Sequence, residues 1–92
     1  MARIEVAKAG ESEFDVRIVD ADGASSHRVT VRPEDYRRLT GGKMPPEELV
    51  RRSFEFLLEQ EPKESILGRF DLLVIARYFP QYEREIKNRL TK

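Results

Sequence analysis

Cysteine is missing from this 92-residue chain, and tryptophan with it. Without cysteine there are no disulfides, no thiolate metal sites and no cysteine nucleophile. That absence fits a reducing compartment, and a cytoplasmic protein is the expectation. Charge of one sign is missing too, since 17 basic residues face 17 acidic ones. A balanced chain has no general attraction to nucleic acid or to anionic membranes. Long apolar runs are lacking as well. The longest, residues 72–76, is far short of the ~20 needed to cross a bilayer. The start, "MARIEVAKAG", has no apolar stretch of signal-peptide type. No membrane partner is expected.

What is present suffices for one core. Apolar residues make up 39% of the chain, with five phenylalanines and three tyrosines. So short a chain builds a single domain, residues 1–92. It divides into a β-meander over 1–32 and a helical part over 33–92.

In "RIEVAK" Ile4 and Val6 alternate with Arg3 and Glu5, and in "EFDVRIVD" Phe14, Val16 and Ile18 alternate with Asp15 and Arg17. In "SSHRVTVR" His27, Val29 and Val31 share one face, while Arg28, Thr30 and Arg32 share the other. Period-2 alternation marks strands buried on one side only. The links hold Gly10 and Asp22-Gly23, and the second pair is a hairpin signal. Short links make neighbours antiparallel. A three-stranded antiparallel meander follows.

Pro33 opens a helix whose first turn holds Glu34 and Asp35, and Gly41-Gly42 closes it. A longer helix is expected from Pro46 to Gln60. There Val50, Phe54, Leu57 and Leu58 form a stripe that Leu49 and Phe56 widen, and Pro62 stops it. Ser65 is placed to cap a short turn holding Ile66, Leu67 and Phe70. Asp71 is placed to cap a helix carrying Leu72, Ile75, Ala76 and Phe79. Pro80 opens a last helix with Tyr82, Ile86 and Leu90 at every fourth position. The expected fold is α+β, the meander followed by three to five short helices on one face.

The block "SFEFLLEQEPKESILGRFDLLVIARYFPQYEREI", Ser53 to Ile86, resembles the signature of a small uncharacterised family of bacterial proteins of similar length. Gly68 and Leu73 depart from its pattern, which would place a more polar residue and a proline there. The resemblance implies no activity and carries over no functional residue.

No motif for catalysis emerges. His27, the single histidine, has no cysteine to activate and no metal cluster around it, and a pairing or rim role is expected on its strand. Ser53 sits among apolar neighbours, as a small packing residue would. Gly41-Gly42-Lys43 is followed by Met44 and Pro45 rather than by the Ser or Thr of a phosphate loop, and reads as a helix stop. Glu34-Asp35 and Glu47-Glu48 stand at helix starts, where the helix dipole favours carboxylates. No cofactor or metal is expected.

Two surfaces are candidates. Arg77, Tyr78 and Tyr82 flank Pro80 in a mildly positive tail and have the composition of a protein-docking patch. An exposed sheet edge would also serve, for strand addition or self-association. The main expectation is therefore a non-catalytic interaction module. One alternative is a ribbon-helix-helix DNA reader, with the strand Ser26–Arg32 placing Arg28, Thr30 and Arg32 in the major groove. Its short first helix and the zero net charge speak against it. An uncharacterised enzyme is the second alternative.

Overall fold

The computed structural model describes residues 2–90. The strands are β1 (Arg3–Lys8), β2 (Glu13–Asp20), β3 (Gly23–Thr30) and β4 (Arg69–Asp71). The helices are α1 (Pro33–Thr40), α2 (Pro46–Gln60), α3 (Val74–Tyr78) and α4 (Tyr82–Leu90), with a 3-10 turn at Lys63–Ser65. The fold is α+β, as the alternation and helical spacing predict.

The meander forms as expected, with β1 and β2 antiparallel in the register Ile4↔Ile18 and β2 and β3 in the register Phe14↔Val29. The hairpin turn falls at Ala21-Asp22, where the Asp22 N–H donates to Asp20 Oδ1 at 2.9 Å and Gly23 takes φ 129°. Only glycine adopts that backbone angle freely.

The sheet is larger than expected. β4 adds a fourth strand, parallel to β3, in the order β1-β2-β3-β4. Three residues cannot display a period, and the parallel partner is reached only through α1 and α2, so nothing local announces the pairing. β3 also begins and ends earlier than its pattern suggests, and Arg32 lies beyond it, just before α1.

One face of the sheet is covered. Ile4, Phe14, Val16, Ile18, His27, Val29 and Phe70 are buried against Leu49, Val50, Phe54, Phe56 and Leu57 of α2, with Tyr82 and Ile86 of α4 completing one core. Leu58, at the edge of the α2 stripe, is only partly buried. α1 ends as its glycines dictate: Gly41, at φ 68°, donates its N–H to Arg37 O at 2.7 Å. The helix expected after Asp71 is shorter than its spacing implied, because Asp71 closes β4 and its Oδ1 accepts the Leu73 N–H at 3.1 Å.

Candidate functional site: an apolar groove beside the end of α2

The chain between α2 and α3 is anchored at three points. Lys63, whose side chain is 5% exposed, holds Asp20 at 3.0 Å and Glu64 at 2.6 Å. These contacts raise the Lys63 pKa and lower those of Asp20 and Glu64. Next, His27 Nδ1 donates to the Leu67 carbonyl at 2.8 Å. A carbonyl can only accept, so Nδ1 carries the proton and Nε2 accepts from the Ser25 hydroxyl, 2.8 Å away. Third, the Arg28 N–H donates to the Gly68 carbonyl at 2.8 Å and leads the chain into β4.

With its backbone fixed in this way, Leu67 turns its side chain outward and is 48% exposed. Tyr78, at the end of α3, is 67% exposed. Between them lies a groove of about 430 Å³. Leu57, Ile66, Phe70, Val74, Ile75 and Phe79 supply its apolar walls, and Glu61 and Ser65 its polar rim. Phe79 is held edge-on to Phe56, ring centroids 5.9 Å apart. Among the described residues, Leu67 and Tyr78 are the only large apolar or aromatic side chains left exposed, and both border this groove.

The three residues expected at a docking patch are separated by the fold. Arg77 and Tyr78 are exposed on α3. Tyr82 is a core residue, 0% exposed, with its hydroxyl 2.7 Å from Ser53 Oγ. Burial pushes its phenol far above the usual tyrosine range. Ser53 also donates to Leu49 O at 2.8 Å, so the small residue expected for packing is a hydrogen-bonding one as well. The groove walls between Leu57 and Val74 each look like an ordinary core position in the sequence; Leu67 and Tyr78, eleven residues apart, come to border one recess only in three dimensions.

The opposite sheet face holds Arg28 and Thr30. Arg28 grips Asp15 directly across the β2–β3 pair, Nε to Oδ1 at 2.8 Å and Nη2 to Oδ2 at 3.2 Å, which lowers the Asp15 pKa and raises that of Arg28. Arg32 pairs with Asp71 at 2.9 Å, Arg69 with Glu13 at 3.6 Å and Arg3 with Glu5 at 3.0 Å. A shallow hollow of about 510 Å³ runs over this face past Glu5, Arg17 and Ser26. Pairing of β3 with a two-fold mate would require β4 to leave its outer edge at Arg28–Thr30. The edge strands of the sheet are β1 and the three-residue β4, and on β1 Arg51 Nη1 donates to the Ile4 carbonyl at 2.5 Å. A cation laid on an edge strand discourages strand addition.

Among the described residues, no group of three or more His, Asp or Glu side chains is placed to hold a metal ion, and no helix is long and apolar enough to cross a membrane. The fold and its groove thus define a small α+β domain with an apolar recess. No protein family, curated protein or solved structure matches this chain.

Proposed function

We propose that the protein is a non-catalytic protein-binding module and that the groove bordered by Leu67 and Tyr78 is its docking surface. The observation that carries this reading is the coincidence of both exposed large side chains on one recess. An exposed tyrosine beside an arginine, over a preformed apolar cavity, has the make-up of an interface hot spot. Every residue lining the groove falls within the block Ser53–Ile86, whose likeness to an uncharacterised bacterial family belongs to this proposal.

The test is a photo-crosslinking amino acid placed at Tyr78 in cells, with a second placed at Ala24 on the open sheet face. Ultraviolet light should give polypeptide adducts at position 78 and few at position 24. Equal yields at both positions, or none at 78, overturn the reading.

One observation favours a second reading, acyl transfer. Ser25, His27 and the Leu67 carbonyl stand in the order nucleophile, base and orienter, with both distances 2.8 Å. Against it, the ring is 5% exposed and tilted against Phe54, and Ser25 lines neither the groove nor the hollow on the sheet face. The arrangement meets the hydrogen-bonding needs of a buried imidazole. Covalent labelling of Ser25 by a fluorophosphonate, lost in His27→Gln, would revive the catalytic reading.

A further inference from the structure

The groove has a charge pattern of its own. Four carboxylates stand between residues 55 and 64, from the second half of α2 to the 3-10 turn. Glu55 is paired with Arg52, Glu59 with Arg89 and Glu64 with Lys63. Glu61, which lines the groove, has no cationic partner among the described residues. It lies at the C-terminal end of α2, where the last turn holds no basic residue. That end of a helix already carries partial negative charge, so Glu61 sits where an incoming cation is most favoured. Arg77, next in sequence to the projecting Tyr78 but outside the groove's lining, is exposed and likewise has no carboxylate partner among the described residues.

The patch therefore holds a recess and a projection, an anion and a cation, all unsatisfied. A foreign basic segment would answer Glu61 and leave Arg77 without a counter-charge. A second copy of this chain answers both. We propose that the occupant is that second copy, in an isologous dimer. Tyr78 of each protomer enters the other's groove, and Arg77 faces the partner's Glu61. Two-fold symmetry makes each contact twice, so one self-complementary patch builds the whole interface. The inference rests on the groove being the docking surface and names what fills it.

Sedimentation equilibrium on the full chain, from about 1 μM to about 1 mM, covers the affinities of weak and moderate complexes. The wild type should be a dimer at the upper end. Tyr78→Ala, Glu61→Arg and Arg77→Glu should each weaken association by about tenfold or more, since each removes or reverses a central contact. The side chains involved lie on the surface or its rim, and circular dichroism checks that every variant is folded. The doubly swapped E61R/R77E protein should dimerise again. An equimolar mixture of the two single charge variants should also associate, because each then meets the opposite charge.

A monomer across the whole range overturns the inference, as does a dimer indifferent to Tyr78→Ala. Failure of both the double variant and the mixture to recover overturns it as well. The crosslinker at Tyr78 separates this failure from that of the docking reading. If the chain is monomeric and the adduct is a different polypeptide, the groove still docks a partner. If no adduct forms, both ideas fall.

Discussion

The two exposed surfaces of this protein, the open sheet face and the groove, differ in composition and in how many of their charges are paired. The sheet face carries the denser charge; Arg3, Arg28, Arg32 and Arg69 each hold a carboxylate of the same chain, while Arg17 has no such partner among the described residues. Such pairs are exposed and screened, and they leave little field for a partner to read. Of the residues that line the groove only Glu61 is charged, and it has no cationic partner among the described residues, beside apolar walls that water solvates poorly. Apolar walls beside an unpaired carboxylate, rather than charge density, are what the proposed docking role rests on.

The largest expected effect comes from the groove's floor. Phe70→Ala removes a ring that stacks at 5.9 Å on Phe54 and should cost about 3–5 kcal/mol of folding stability in urea titrations. Retention of wild-type stability would show that the groove is detached from the core. Tyr82→Phe should cost about 1 kcal/mol at neutral pH, because Ser53 loses one partner and keeps Leu49 O.

The same variant has a pH signature. The folded protein holds the Tyr82 phenol protonated to higher pH than the unfolded chain, which releases that proton near pH ~10. Stability from this source is fully present below pH ~10 and falls as pH rises above it. The urea midpoint should therefore drop less between neutral and alkaline pH in Tyr82→Phe than in the wild type. Identical drops would place the alkaline sensitivity in other groups.

Acid works on the carboxylates in the opposite sense. Asp15, Asp20, Glu59 and Glu64 have folded pKa values lowered by Arg28, Lys63, Arg89 and Lys63 respectively. Their contribution is present above the ordinary carboxylate range of pH ~4 and is lost as pH falls through the lower, folded values. Asp20→Asn should flatten the acid limb of a stability–pH curve, since Asp20 anchors the shielded Lys63. An unchanged limb would mean that Glu64 holds Lys63 alone.

The smallest effect belongs to the sheet face. Arg28→Ala should leave the urea midpoint within error of the wild type, and a double-mutant cycle with Asp15→Ala should give a coupling that fades with added salt. A large, salt-resistant coupling would mean that this face is structurally committed, and the contrast between the two surfaces would weaken.

Much of the fold can be read locally. β1 and β2 occupy the alternating segments "RIEVAK" and "EFDVRIVD", and α1 and α2 run between their proline starts and their glycine and proline stops. The site was far less legible. Tyr82 shares its four-residue spacing with Ile86 and Leu90, the mark of a core stripe, and the fold places it there. His27 finds its Nδ1 partner 40 residues away at Leu67, a separation that no strand pattern conveys.

The sequence by itself determined the α+β class, the antiparallel meander and the helices α1 and α2, because backbone propensity and side-chain period act within a few residues. Tertiary structure alone decided that "RFD" pairs as a fourth, parallel strand, that Tyr78 and not Tyr82 reaches solvent, and that Leu67 borders the same groove as Tyr78. Those outcomes depend on which distant segments share the remaining core surface and backbone hydrogen bonds, a competition that no short stretch of the chain encodes.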